Sequence, residues 1–266
     1  MDGLRRMITR RTAATYSTGA LTMLLAGCMS RETMRDTQIT GDDVQIVGHR
    51  GCAGQYPENT VLAMKRSAPH VDMIEIDVQR CGSGELIVFH DDTLDHLTEA
   101  SGSVASTDWE TIRELTVGDS EQTIPRLATV LDAIPTDTGV NIELKHVGIA
   151  DDVLAIAAQI DNTVLYSSFQ PAALSEVQTV DPTANCALLF ADASEKSVQT
   201  AIDLDCTAIH PRYDLVLTTD LMKTARKNGF RVNTWTISDS DVATELIQTG
   251  VDGLIVDYWN LEFSSA

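Results

Sequence analysis

From Asp43 onward the chain repeats one unit eight times: a short run rich in β-branched residues, then a stretch with helical spacing of apolar positions. The expected strands are Val44–Gly48, Met73–Gln79, Val140–Lys145, Thr163–Ser168, Cys186–Phe190, Thr207–His210, Arg231–Thr236 and Gly253–Asp257. Between them lie amphipathic stretches such as Arg126–Ile134, Asp151–Ile160 and Asp239–Thr249. Asp220 and Asp239 stand where helix N-caps belong, and Gly229 and Gly250 where helices end. Strands that are apolar almost without a break are covered on both faces, as parallel strands are. Eight such units predict an α/β chain closed into a (β/α)8 barrel. An open doubly wound sheet usually carries a glycine-rich phosphate loop after its first strand, and neither GxGxxG nor GxxxxGK occurs here.

One segment breaks the rhythm. Glu85–His90 is strand-like, yet only Cys81-Gly82-Ser83-Gly84 separates it from the second barrel strand. Four residues cannot make a parallel crossover, so the segment is expected to form an antiparallel hairpin arm. A turn centred on Gly82-Ser83 would set His90 opposite Glu75. Residues of about 91–125 have little regular pattern and read as an insertion capping one barrel mouth.

In such a barrel the chemistry gathers at the C-terminal ends of the strands. Those ends carry His49-Arg50, Glu75 and Asp77, His90-Asp91, Glu143 and Lys145, and Trp235. Each pair spaced by two points to the same side of its strand. Burying Glu75, Asp77 and Glu143 together is costly without a cation between them. All-oxygen ligation favours Mg²⁺ or Ca²⁺. Arg50 and Lys145 on the rim suit a phosphate, and His49 and His90 are candidates for base and acid. Glu58 is either a helix-start acid favoured by the dipole or a residue that orients the site. Trp235 is either a barrel plug or a surface on which a substrate stacks. His210, at the end of the sixth expected barrel strand, is a structural residue or a substrate contact.

These residues resemble the glycerophosphodiester phosphodiesterases. The matching motifs are His49-Arg50-Gly51, Pro57-Glu58-Asn59-Thr60, Glu75-x-Asp77, His90-Asp91, Glu143-x-Lys145, Trp235-Thr236 and Gly250-Val251-Asp252-Gly253. The resemblance implies a TIM-like barrel, an insertion after the second strand and a divalent cation. It also implies hydrolysis of a small-molecule glycerophosphodiester to sn-glycerol 3-phosphate and an alcohol. By the same resemblance Glu75, Asp77 and Glu143 are metal ligands, His49 and His90 the acid–base pair, and Arg50 and Lys145 the phosphate holders. The favoured path is attack by the glycerol 2-hydroxyl to give a cyclic phosphate that water then opens. Related lipid phosphodiesterases, of the phospholipase C or sphingomyelinase D type, would share the barrel, metal and histidines. A non-catalytic substrate-binding lipoprotein would not need two histidines beside a carboxylate cluster.

The N-terminal sequence gives an address. Residues 1–27 hold Arg5, Arg6, Arg10 and Arg11, then an uncharged stretch from Thr12 to Gly27 that ends beside Cys28. The stretch is too short and polar to span a bilayer, and resembles a twin-arginine lipoprotein signal with Cys28 as the lipidated residue. Residues 28–43 read as a flexible tether and 44–266 as the barrel, held at the cell surface by its lipid. With 39 acidic and 19 basic residues the formal charge is -20, which repels nucleic acid. Asp outnumbers Glu 26 to 13 and only 5 lysines occur, a balance that suits near-molar salt. No protein partner is expected. On the strand map Cys52 and Cys81 follow adjacent strands and Cys186 and Cys206 begin adjacent strands, so two disulfides, Cys52–Cys81 and Cys186–Cys206, are expected after export.

Overall fold

The computed structural model describes residues 44–192 and 195–262. The strands are β1 (Gln45–Gly48), β2 (Met73–Arg80), β3 (Leu86–Val88), β4 (Gly139–Leu144), β5 (Val164–Ser168), β6 (Cys186–Phe190), β7 (Ala208–Pro211), β8 (Arg231–Ile237) and β9 (Gly253–Val256). All except β3 pair in parallel in the order β1-β2-β4-β5-β6-β7-β8-β9, and β9 returns to β1. The expected eight-stranded barrel is therefore closed. Among the described residues no helix is long and apolar enough to cross a membrane.

The crossovers carry α1 (Val61–Ser67), α2 (Trp109–Ile112), α3 (Leu127–Leu131), α4 (Ala150–Ala157), α5 (Pro171–Val180), α6 (Glu195–Asp203), α7 (Tyr213–Thr218), α8 (Leu221–Lys227) and α9 (Ser240–Thr249). Capping fixes some of their ends. Asp239 accepts from the backbone of Asp241 and Val242 to start α9, and Gly250 ends it in a left-handed conformation. The outward sides of the strands, for example Ile74, Ile76, Ile142, Ile209 and Leu254, pack against helix residues such as Leu131, Val153, Leu174 and Leu246 in one core. Fully burying each such side chain is worth about 1.5–3 kcal/mol. Inside the barrel a smaller apolar plug of Val47, Met73, Leu165, Ala187, Ala208 and Ile255 fills the axis. Polar side chains occupy inward positions beyond it on β2 and β4.

The arm forms, with its register shifted by one residue from the expectation. Val78 pairs with Val88, Gln79 with Ile87 and Arg80 with Leu86. Cys81 donates its N–H to the carbonyl of Glu85 (3.0 Å), so the turn centres on Ser83, with Gly84 at φ +105°. His90 is consequently not opposite Glu75. The strand ends at Val88, and Gln79 Nε2 donates to the carbonyls of Phe89 (2.7 Å) and Asp91 (2.8 Å), turning the chain back toward the barrel. The insertion is better ordered than its sequence suggests. Leu94, Val104, Ile112, Val117 and Ile124 close over Cys81, Ile87 and Phe89 to make a second small core on the arm.

The two expected disulfides are absent; Cys52, Cys81, Cys186 and Cys206 are buried free thiols. β1 ends at Gly48, which pairs with Ile74, whereas Cys81 lies seven residues farther along β2, roughly 23 Å at strand rise. Cys52 folds back against Gly48, and Cys81 Sγ turns to Glu85 (3.4 Å) inside the arm. Cys186 and Cys206 are close, since Thr207 donates its N–H to the Cys186 carbonyl (2.9 Å). Both belong to the main apolar core, where burial pushes each thiol to about 12 and suppresses the thiolate that disulfide exchange requires. Cys28 lies outside the described residues.

A turn after β1 positions the first functional residues. Arg50 and Gly51 both take positive φ (49° and 75°), and a Cβ on Gly51 would stand 2.8 Å from Ala63 Cβ in α1. Gly51→Ala is expected to cost more than about 1 kcal/mol in urea unfolding, from the strained φ and the clash together. Thiol titration of unfolded, unreduced protein is expected to count four reactive groups from Cys52, Cys81, Cys186 and Cys206; a count of zero or two would restore the bridges.

Candidate active site

Glu75, Asp77 and Glu143 are all buried, and one oxygen from each lies within 4.8 Å of the others. Their placement follows from pleat and register. Asp77 is the direct partner of Glu143 across β2 and β4, and Glu75 lies two residues back on the same side of β2. The turn after β1 brings the backbone N–H of Arg50 to Glu75 Oε2 (2.8 Å).

Asp77 is the most heavily contacted of the three. Its Oδ1 meets Lys145 Nζ (3.3 Å), and its Oδ2 meets Arg50 Nε (3.3 Å) and accepts from Asn59 Nδ2 (2.9 Å). Burial opposes its charge, but Lys145, Arg50 and His90 outweigh that and hold the carboxyl below its ordinary value. Glu75 and Glu143 shift the other way. Burial, then the charges of Asp77 and Glu143, push Glu75 well above the carboxylate range. Burial, then Asp77, raises Glu143 to about 7, although Lys145 Nζ stands 2.9 Å from its Oε1. Two basic side chains thus serve three carboxylates, and Glu75 Oε1 has no hydrogen-bond partner. A hard divalent cation fits this donor set, because it would neutralise the surplus charge and occupy the orphaned oxygen.

Glu58 precedes Thr60, the N-cap of α1, so it is not a first-turn acid. Its Oε1 accepts from Arg50 Nη1 (2.9 Å) and holds that guanidinium over Asp77. Asn59, at φ +57°, clasps Asp77 from behind. The quoted Pro57-Glu58-Asn59-Thr60 motif contained both residues, but nothing in the sequence said which acid the asparagine would meet.

Two imidazoles stand on the rim. His49 Nδ1 lies 2.8 Å from Asp257 Oδ1, just past β9, and His90 Nδ1 lies 2.6 Å from Asp91 Oδ1. Each contact fixes a ring and leaves its Nε2 for other partners. Both histidines line one pocket with Arg50, Glu75 and Glu143. Asp257 was not singled out from sequence, although it stands at a strand end just as His49 does.

Trp235 lines the same pocket, with its indole N–H donating to the carbonyl of His210 (2.7 Å) and Phe169 meeting it edge-on at 5.3 Å. Phe169 follows β5 in a position no motif marks. His210 is 1 % exposed and bonds Asn233 (3.2 Å), and burial lowers its pKa to about 3; it is a neutral interior residue.

The profile of the Glycerophosphoryl diester phosphodiesterase family matches residues 49–261. The chain belongs to that family. A glycerophosphodiester phosphodiesterase of Caldanaerobacter subterraneus is 30% identical over 80% of this chain and 93% of its own. One from Bacillus altitudinis is 28% identical over 80% and 94%. Among solved structures, an Oleispira antarctica phosphodiesterase in complex with the product sn-glycerol-3-phosphate superposes with a TM-score of 0.73 at 27% identity, covering 80% of this chain and 93% of that one. The Thermotoga maritima family member gives 0.72 at 25%, over 82% and 96%. The shared region takes in every rim residue described above.

The raised acids set a pH dependence. Glu143 titrates near 7 in the fold against an ordinary 4.5, so its contribution to stability is complete below 4.5 and is lost as pH rises through 7 in metal-free protein. A divalent cation held by the three acids would take the place of that proton. Calorimetry is therefore expected to show a melting-temperature gain from the cation that is small at pH 4.5 and grows until about pH 8. A gain that is flat across this range would mean that the cation binds elsewhere.

Proposed function

We propose that the protein hydrolyses glycerophosphodiesters to sn-glycerol 3-phosphate and an alcohol, with His49 and His90 as the acid–base pair. The observation that carries this reading is a pair of carboxylate-pinned imidazoles on one pocket rim, above three clustered acids. Glu75, Asp77 and Glu143 would hold the cation, Mg²⁺ or Ca²⁺. Bound there, it supplies a Lewis acid that offsets charge building on the phosphoryl oxygens.

The chain's own groups do the rest. Arg50 and Lys145 are held in place by Asp77, Glu58 and Glu143, and their remaining N–H groups bind the phosphate without reorganising as charge develops. One imidazole Nε2 accepts the proton of the attacking hydroxyl. The other, protonated, gives its proton to the departing alkoxide. Asp257 and Asp91 fix the ring orientations and stabilise whichever imidazolium forms. Trp235 and Phe169 give the glycerol carbons an apolar wall.

The location is part of the same proposal. Cys28, outside the described residues, would carry a lipid after export, and the tether would keep the barrel at the membrane surface. The acidic excess would keep it soluble in strong salt.

In molar salt, release of glycerol phosphate from glycerophosphocholine or glycerophosphoglycerol is expected to need a divalent cation and to stop with chelator. His49→Ala and His90→Ala are each expected to lower kcat by roughly 10²–10⁴-fold with little change in melting temperature. Near-wild-type turnover in either variant would remove that residue from the chemistry. Activity confined to intact lipid would replace the substrate assignment.

A further inference from the structure

We infer that Asn141 binds a hydroxyl of the substrate's glycerol, an assignment that rests on the pocket being a glycerophosphodiester site. Asn141 occupies an inward position of β4, two residues before Glu143, and is the direct partner of Glu75 on β2. It therefore lies on the pocket floor between two of the three clustered acids, and it lines the pocket with His49 and His90.

Its side chain is 1 % exposed, and neither Oδ1 nor Nδ2 has a hydrogen-bond partner. Each of the other buried asparagines among the described residues has at least one side-chain hydrogen bond, Asn233 through its Nδ2 alone, whereas Asn141 has none. Asn59 clasps Asp77, Asn162 donates to the carbonyls of Pro135 (2.7 Å) and Thr138 (2.8 Å), and the Asn233 amide meets His210. A buried polar group left without a partner costs about 1–3 kcal/mol, so the Asn141 amide is matched by something that enters the pocket.

The chemistry of an amide narrows what that is. It offers one acceptor oxygen and a donor NH₂ side by side. A phosphate oxygen only accepts, and Arg50 and Lys145 already answer it. A cation would engage Oδ1 and leave the NH₂ unpaired. An alcohol both donates and accepts, and so can satisfy either atom. The same pocket is lined by Leu189, Ile255 and Trp235, which suits the carbon face of a short polyol. An amide that hydrogen-bonds a glycerol hydroxyl discriminates against a simple alkyl phosphate that lacks it.

The test reads binding without turnover. Titration calorimetry at saturating Mg²⁺ or Ca²⁺ compares sn-glycerol 3-phosphate with two analogues that each lack one hydroxyl, 1,3-propanediol phosphate and 1,2-propanediol 1-phosphate. The wild-type protein is expected to bind at least one analogue about tenfold more weakly. Asn141→Leu is expected to bind that analogue and the parent within about twofold of each other, with an unchanged or higher melting temperature, since the lone amide is gone. Should the leucine variant fail to fold, Asn141→Ala makes the same comparison. Because each variant is judged by a ratio of ligands, a general loss of cation affinity cancels. A wild-type protein that binds all three alike, or variants that keep the full discrimination, would overturn the assignment. Failure of the wild-type protein to cleave glycerophosphodiesters would instead remove the proposed reaction, with the binding ratios still legible.

Discussion

The site is organised around one buried carboxylate. Asp77 sits among Arg50, Lys145 and Asn59, which together overcome the cost of burying its charge. Those contacts reach three different crossings of the barrel, the turn after β1, the entry to α1 and the end of β4. The contact is mutual. By holding Asp77 ionised, the two cations are themselves fixed, so that in the proposed reaction a phosphate would meet them already in position. The cluster is left one charge short of neutral, and Glu75 and Glu143 bear that deficit as raised proton affinity. This is the condition under which a hard cation binds tightly, because it displaces protons held in the wrong place for them.

Most of the barrel was legible from the chain because its strands are short, apolar and separated by helices of clear period. Each of the eight expected strands matches an observed one within a residue or two at its ends. The acids were legible too, since a spacing of two on a strand sends Glu75 and Asp77 to one side whatever the detailed register. The arm was legible in kind and not in register. Whether a glycine turn centres between residues 82 and 83 or on residue 83 is decided by backbone conformation at Gly84, and composition does not encode it.

The cysteines and the carboxylate partners were harder for a related reason. Adjacent strands placed Cys52 and Cys81 near each other in order, while their heights along the barrel differ by the length of the arm. Asp257 and Asn59 act through residues more than fifteen positions away, and a linear pattern does not announce such contacts. Glu58 is the instructive case. Its place just before a helix offered one explanation and a role in orienting the site the other, and the structure pairs it with Arg50, eight residues back.

The second small core on the arm has a consequence for how the protein would fail. His49 belongs to the barrel itself, whereas His90 and Asp91 stand at the root of the insertion, held by Gln79 and by packing around Phe89. The two histidines of the proposed acid–base pair therefore depend on two separate apolar clusters of very different size. Loosening the minor one while the major one stays folded would part His90 from His49, so that loss of the proposed acid–base pair on heating would precede global melting.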